Sequence, residues 1–447
     1  MNLWRKRIKE LKQYPSAVVG LLIIFILVFI SVFAIIYMPY EEAITLWRGG
    51  RIWEESPRNA RPVWVDWFSR DSLPRTVILD SADFAEKKTI EKLNGVSQFE
   101  IILPLDYRFD GFPRELNIFL EAEFNGNSPH VGITWLTPDG REYEASEFSM
   151  GESHTFRLDR DTRLQRQFPG ETVREAILSD PNYEGEGLVP LKGEHQIIIS
   201  GYFFDEETTL NVRAVFYGQV HGMAGTDHRR REIIVALFWG TPVALAFGIL
   251  AAVGTTITTM IMAAVGVWYG RWVDALIQRI TEVNLILPVL PILVMVGMLH
   301  SRSLWVMLGI VILLGIFSAA IKTYRAMFLQ IKDAPFIEAA RSYGTGNLRI
   351  IFLYLIPKII PTLIPSFVTA IPTYIFLEAS LALLGLGDPI LPTWGKLLQD
   401  ALHGDALYNG YYYWILQPAV LLMITGLGFA MTGFALDRIF NPRLRRL

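Results

Sequence analysis

The chain has 447 residues, 51% of them hydrophobic and 19% charged, with a mean hydropathy of +0.32. It is too apolar for an ordinary soluble protein and too charged to lie wholly in a bilayer, so a membrane part joined to a soluble part is expected. A net charge of −3, with basic residues in short clusters beside apolar runs, excludes the footprint of a nucleic-acid-binding protein, and the lack of cysteine excludes disulfides, thiolate metal sites and cysteine nucleophiles.

A membrane span needs roughly 20 mostly apolar residues to cross about 30 Å of hydrocarbon. The first candidate is "SAVVGLLIIFILVFISVFAIIY", Ser16 to Tyr37, which carries no charge. It is longer than the roughly 7–15-residue apolar region of a signal peptide, and "YMPYEEA" is a poor small-residue cleavage site, so an uncleaved span is predicted.

From Pro39 to Glu232 the pattern is β. The segments "FEIILPLDYRF", "RELNIFLEAEF", "HVGITWLTP", "REYEASEF", "SHTFRLD", "HQIIISGYFF" and "TLNVRAVFYGQV" alternate in part between apolar and polar residues. Turn-forming "NGNSP", "TPDG" and "FDEE" bound them, which predicts a sandwich-like domain. One helix is expected around Glu171 to Leu178. Asp159 and Asp161 in "RLDRDTR" lack the glycine and terminal glutamate of an EF-hand, so a solvated turn is expected rather than a calcium loop. His130, His154 and His195 lack ligand spacing and are expected on the surface or in packing. Trp47, Trp53, Trp64 and Trp67 follow the first span, where an interfacial belt or a docking edge would place them, the belt being preferred.

The remaining predicted spans come late: Thr241 to Val267, Leu285 to Leu299, Leu304 to Ile321, about Ile359 to Leu384, and Tyr413 to Leu436, six in all with the first. The third is short and holds Pro288 and Pro291, so a broken or tilted backbone is expected. Orientation follows from Lys and Arg in the short flanks. Arg5, Lys6, Arg7, Lys9 and Lys12 precede span one, Arg271 and Arg279 follow span two, and Lys322, Arg325, Lys332, Arg341 and Arg349 follow span four. Arg438, Arg443, Arg445 and Arg446 follow span six, whereas the opposite loops hold little beyond Arg302 and Lys396. Both termini are therefore expected in the cytosol, the long insert outside, and the segment after span four in the cytosol.

That cytosolic segment, "APFIEAARSYGTGNLRIIFLYLIP", is charged and turn-bearing between two apolar spans. Pro335 can open a short helix with Phe336 and Ala340 on one side, and Gly344 can supply the positive φ that ends it. Such a helix is too short to stand alone in water. Ala339 and Ala340 are expected to face the cytosol, covered either by a partner with a groove or by lipid headgroups on which an amphipathic linker lies. Span five carries Pro361, Pro365 and Pro372, enough to interrupt its ladder repeatedly, either at a water-filled path or as bends imposed by packing. Glu378 is a charge within a span, a candidate for the path or for a structural place at the outer mouth capped by Ser380. Asp274 and Glu282 are expected on a cytosolic connector.

Glu338, Ala339, Ala340, Gly344 and Pro357 stand at the intervals of the EAA signature of ABC importer permeases, which this segment resembles, with Tyr354 and Ile356 departing from the usual residues. Three further stretches resemble the oligopeptide/dipeptide permease family, in the subunit whose long loop follows span one. They are "GTDH" at 225–228, "WVDALIQRITEVNLILPVLPILV" at 272–294, and "FLEASLALLGLGDPILPTWGKLL" at 376–398 with a closing "LDRIFNPRLRR". The likeness covers about 15–45 and 220–447. The family's "GTDxxGRD" is here "GTDHRRRE", with Arg230 in place of a glycine, which leaves the local geometry at the membrane surface open.

The resemblance implies a six-helix membrane permease fold with an inserted β-rich, sandwich-like extracytoplasmic domain. Its expected parts are 1–38, a cytoplasmic N-terminus and first span; 39–232, the external domain; and 233–447, the permease domain with a coupling segment at 330–350. It implies a second homologous permease subunit, two ATPase subunits and an extracytoplasmic solute-binding protein as partners, beside the bilayer, and no cofactor or metal. Phe336, Glu338, Ala339, Ala340, Arg341, Gly344 and Pro357 would couple to the ATPase, and Glu378, Pro365 and Pro372 are candidates for the path. No Walker A pattern occurs, so the chain lacks that device for binding ATP. A membrane-anchored receptor with a ligand-binding β-domain is the competing reading, and it needs neither six spans nor an EAA-like segment.

Overall fold

The first uncharged run folds as α1, Pro15–Tyr37, with Pro15 at a position where its missing N–H costs nothing. The structure is a computed structural model that describes residues 14–93, 96–205 and 207–440. Arg5, Lys6, Arg7, Lys9, Lys12, Arg443, Arg445 and Arg446, on which part of the orientation rests, lie outside the described residues. Helix α1 buries one stripe, Ala17, Gly20, Leu27, Ser31 and Ala34, and exposes apolar side chains such as Phe25, Phe29 and Ile36 elsewhere. A helix apolar all round suits lipid. After it comes α2, Tyr40–Arg48.

Two compact units follow from the chain's own contacts. One is Gly49–Ile234; the other combines the residues up to Arg48 with those from Val235 on. Within the insert the strands are β1 (Val77–Asp80), β2 (Lys88–Leu93), β3 (Val96–Tyr107), β4 (Glu115–Glu123), β5 (His130–Leu136), β6 (Glu142–Glu144), β7 (Phe148–Ser149), β8 (Ser153–Arg157), β9 (Gly193–Phe203) and β10 (Thr209–Tyr217). Two short helices interrupt them, α3 (Thr162–Gln167) and α4 (Val173–Leu178). One sheet runs β1-β10-β4-β8 and the other β2-β3-β9-β5-β6, with β7 also on β5 and every pairing between these strands antiparallel.

Alternation makes the sandwich. Residues 99, 101, 103, 105 and 107 of β3, 197 and 199 of β9, and 210, 212, 214 and 216 of β10 all point into one core. Pro104 is tolerated in β3 because β2 pairs only with residues 96–101, leaving an open edge at the proline. At Gly201 of β9 an added Cβ would lie 1.9 Å from the carbonyl oxygen of His130, so close strand approach excludes a side chain there. Strands β1 and β2 and helix α3 have no counterpart in the sequence expectation. The exposed part of β2 is edge strand with charges and no inward face, so no alternation marks it.

One side-chain expectation changes here, that of the Asp159 and Asp161 turn. Asp161 is buried and caps α3, accepting from Arg163 N and Leu164 N, and also from Ser146 N, while Asp159 pairs with Arg174 at 2.5 Å. The pair is thus bound into the fold and is not a solvated turn, because capping satisfies helix-end amides that would otherwise be orphaned. Trp47 is buried whereas Trp67 is exposed. His195 is fully buried, the packing place that is one of its two expected settings.

The later chain forms α5 (Ile233–Tyr269), α6 (Arg271–Ile286), α7 (Val289–Leu299), α8 (Leu304–Ile316), α9 (Ala320–Lys332), α10 (Pro335–Ser342), α11 (Asn347–Ile350), α12 (Ile356–Leu381), α13 (Trp394–His403) and α14 (Tyr412–Phe440). Four helical stretches among the described residues are long and apolar enough to span, Pro15–Tyr37, Ile233–Tyr269, Asn347–Leu386 and Tyr412–Phe440. Spans three and four are not straight helices. At about 1.5 Å per residue, α7 and α8 are too short to cross alone. They pair with α6 and α9 across bends of 79° and 48°, which brings the total to six when each pair is one span.

Span five also differs from expectation. Pro361, Pro365 and Pro372 all lie inside the unbroken helix α12, and the departures from α geometry are π turns at Ile351–Leu355 and Ala382–Leu386. Neighbouring helices hold the backbone helical despite the lost amides. Glycines make that packing close: a Cβ on Gly20 of α1 would lie 2.6 Å from Thr432 Oγ1 and 2.7 Å from the Gly428 oxygen of α14. Small residues that let helices approach are the usual device inside a bilayer.

Candidate functional site

Helix α10 begins with Pro335 at its first turn after Ala334 in an extended conformation. It ends where Gly344 adopts φ 76°, letting Gly344 N donate to Arg341 O at 2.9 Å and Thr345 N to Ala340 O at 3.1 Å. This crossed pair satisfies the last carbonyls and needs a residue without a Cβ at the turn. Eight residues make a helix of about 12 Å, far too short to hold its shape unaided. Support comes from Ile337 and Ala340, three residues apart on one side and both buried. Ile337 belongs to the cluster that includes Trp268, Ile277, Phe328, Ile350, Ile351 and Leu355. Burying such a side chain contributes about 1.5–3 kcal/mol.

Phe336, Glu338, Ala339 and Arg341 face outward, and Tyr343 just beyond the helix is 90% exposed. Two expectations are therefore corrected. Ala340 does not face outward with Ala339 but is covered by its own chain, and its inward companion is Ile337 and not Phe336. The 100° step per residue sets 337 and 340 about 60° apart on the covered side, leaves 336 on the flank next to 340 where its ring stays exposed beside Lys358, and turns 339 outward.

Charged contacts fix the mount. Lys332 Nζ donates to Val267 O at 2.7 Å, and the Arg341 guanidinium lies 4.4 Å from the centre of the Trp268 ring, so two cations meet the last turns of α5. Arg325 of α9 grips Asp274 of α6 through both carboxylate oxygens, at 2.8 and 2.6 Å. Lys358 lies 5.8 Å from the Phe336 ring centre. Pro357 comes just after the π turn Ile351–Leu355, with Ile356 between them, in a helical stretch continuous from Asn347. The wider turn accommodates the proline's missing N–H. Ile337, Trp268 and Tyr343 are not singled out in the sequence, and Lys332 enters there only as a charge for orientation. Of these only Ile337 had a usable signal, its three-residue spacing from Ala340.

Glu378, Pro365 and Pro372 belong to another place. Pro357 and Glu378 are separated by about 32 Å along the helix. All three candidates are buried. A Cβ on Gly433 of α14 would meet the Pro365 oxygen at 3.6 Å, and one on Gly248 of α5 the Ile371 oxygen at 3.0 Å. Glu378 Oε1 has no hydrogen-bond partner, while Thr393 lies against the same carboxylate. Ser380 does not cap it, its hydroxyl donating to Phe376 O at 2.7 Å. Asp388 nearby accepts from Leu304 N at 3.0 Å and Ile390 N at 2.9 Å, tying the loop after α12 to the start of α8. An apolar groove of about 490 Å³ between α5 and α12, lined by Ile257, Met260, Ile356, Leu363 and Phe367 among others, includes none of the three.

The "GTDHRRRE" turn closes despite its missing glycine. Arg230 takes φ 69°, its guanidinium lies 4.1 Å from the Tyr217 ring centre, and it pairs with Glu115 and donates to Ser56 O at 2.6 Å. Asp227 and Arg231 are both buried and joined at 2.6 Å, and Thr226 Oγ1 accepts from Ala60 N and donates to Pro57 O. Side-chain contacts thus hold a left-handed residue that glycine would adopt freely.

Residues 255–446 match the family described as binding-protein-dependent transport system inner membrane component, entirely outside Gly49–Ile234. The chain is 30% identical over 224 residues to the dipeptide transport system permease protein of Alkalihalophilus pseudofirmus, covering 49% of this chain and 72% of that protein. It is 28% identical over 224 residues to the oligopeptide transport system permease protein of Bacillus subtilis, covering 50% and 72%. It is 30% identical over 226 residues to the glutathione transport system permease protein of Pectobacterium atrosepticum, covering 49% and 72%.

Proposed function

Because this chain belongs to the family of binding-protein-dependent transport system inner membrane components, as a multi-pass permease subunit of an ABC importer, we propose that it forms half of a path for peptides or similarly sized solutes. Its partners in this reading are a second homologous permease, two ATPase subunits and an extracytoplasmic solute-binding protein. Both termini lie in the cytosol and the insert outside, a side assignment supported by the Lys and Arg bias of the short loops.

The observation that carries the reading is the two-faced helix α10. Ile337 and Ala340 lock it to the ends of the membrane helices, while Glu338, Ala339 and Tyr343 present an outward surface for an ATPase cleft. Closure of the ATPase pair on ATP pushes that surface. Ile337 passes the stroke to the cluster holding Ile351 and Leu355, and so to the start of α12. Gly344 and Pro357 set the geometry of the turn and of the helix that receives the stroke. Alternating access then follows as a shift between two packed states biased by ATP and by substrate delivery. Glu378, Pro365 and Pro372 enter as residues of the helix that walls the path, and their burial supports a part in holding that wall's packing.

Co-purification with the ATPase subunits in detergent tests the coupling role. Glu338→Ala combined with Gly344→Val should abolish capture, since a β-branched residue at φ 76° cannot keep the turn. Undiminished capture by the double variant would overturn it.

A further inference from the structure

The inserted unit carries a cluster of exposed apolar side chains that the transport reading does not use. A 3₁₀ stretch, Val63–Phe68, exposes Trp67 at 78% and Phe68 at 82%, and Met223 is 76% exposed. Trp64 joins the two segments, its indole N–H donating to Met223 O at 3.0 Å. Soluble surfaces seldom gather so many large apolar groups.

Hydrogen bonds connect this cluster to the first turn of α5. Arg61 N donates to Gln219 O at 2.9 Å, Val63 N to Gly222 O at 2.9 Å, and Thr226 N to Ala60 O at 3.0 Å, zipping residues 60–63 to 219–226. Ile233 N, the first residue of α5, then donates to Gly225 O at 3.0 Å. Helix α5 has 37 residues and is about 55 Å long, more than the roughly 40–45 Å of a bilayer with its headgroups. The zipped segment is therefore tied, within its own unit, to the residue from which α5 starts toward the bilayer.

We propose that Trp64, Trp67, Phe68 and Met223 form a lipid-anchoring patch that seats the inserted domain in the headgroup layer of the bilayer that α5 enters. Indoles favour that layer because the ring is apolar and the N–H needs a polar partner. Arg61 and Arg70, both exposed beside the patch, suit anionic headgroups. The patch rests on α5 being a membrane helix and is independent of which side of the membrane the insert occupies.

The chain has no cysteine, so single nitroxide labels can be placed without background. Phe68→Cys reports the patch, Tyr183→Cys an exposed site elsewhere in the same unit, and Leu250→Cys the exposed flank of α5. The full-length chain is reconstituted in vesicles of phosphatidylcholine with phosphatidylglycerol, and collisions with oxygen and with a water-soluble nickel chelate are measured. The ratio of oxygen to nickel accessibility should be several-fold higher at 68 than at 183, and higher still at 250. Equal ratios at 68 and 183, with 250 high, would overturn the patch while leaving the span intact; a low ratio at 250 would instead sink the membrane reading of α5. Shielding at 68 that appears only when a second permease chain or a binding protein is added would assign the patch to protein and also overturn the proposal. Trp67→Ser with Phe68→Ser should leave detergent stability unchanged and lower the nitroxide ratio at a neighbouring Ser69→Cys.

Discussion

Arg341 sits with its guanidinium 4.4 Å from the centre of the Trp268 ring, so the outward helix α10 is held to the end of α5 by a cation–π contact as well as by Ile337. Such a contact is worth about 0.5–1 kcal/mol at an exposed site. Arg341→Ala and Trp268→Leu should each lower the melting temperature of the detergent-purified chain. Made together they should cost less than the sum by about that amount in a double-mutant cycle. Strict additivity would show that the two side chains do not interact.

Ile337→Ala removes the inward anchor of α10. A loss of about 2–4 kcal/mol is expected for a fully buried isoleucine, with transport falling in step. Tyr343→Ala, which removes an exposed ring, should leave thermal stability within about 0.5 kcal/mol while weakening ATPase capture. If Ile337→Ala unfolds at the native temperature, α10 is not mounted through that residue.

At Arg230 the backbone has φ 69° and the side chain makes the compensating contacts. Both Arg230→Gly and Arg230→Ala lose the Tyr217 and Glu115 contacts, but only alanine keeps the left-handed penalty. The glycine variant should therefore be more stable than the alanine variant by about 1 kcal/mol, read from thermal unfolding.

Gly20→Ala should loosen α1 from α14 by about 1–3 kcal/mol, because the added carbon would lie 2.6 Å from Thr432 Oγ1 and 2.7 Å from backbone. Gly309→Ala in α8 is the control, with nothing within 4 Å of the added carbon, and should be neutral or stabilising by up to about 1 kcal/mol. Similar losses at both sites would argue against the close crossing.

His195 makes the inserted domain sensitive to mild acid. Its Nδ1 accepts from Trp135 Nε1 at 3.2 Å, and its Nε2 faces Leu191 O at 2.9 Å, which sets the Nε2–H tautomer. Burial pushes the imidazole below its ordinary 6.5, outweighing the Leu191 carbonyl, which acts the other way. Protonating Nδ1 would set a second N–H against the tryptophan donor. Folded-state depression means that stability is full above pH 6.5 and is lost as pH falls from there through the folded value. His195→Gln should flatten unfolding midpoints between pH 7.5 and 5.5. Asp110, held low chiefly by Lys192, and Asp139, lowered by Thr137 and Arg141 against the opposing effect of burial, act only below the ordinary 3.8 and leave that window to the histidine.

Much of this molecule was legible along the chain. Ser16 to Tyr37 is one uncharged run, β3, β9 and β10 alternate in part along their length, and Pro335 and Gly344 bracket α10 where the sequence places them. These are local signals: run length, a period of two, and backbone freedom at single residues. The 79° and 48° bends were not legible, because lipid-facing helices are apolar on all sides and their periodicity marks no direction. Whether Ala339 or Ala340 turns inward, whether Arg230 can stand in for glycine, and whether Asp161 is solvent or cap each depends on partners far away in sequence. The sequence by itself determined which segments are membrane, sheet and turn, since those follow from the chemistry of neighbouring residues. Only the tertiary structure decided which side chains meet, since a buried contact depends on the mutual fit of surfaces that no local pattern encodes.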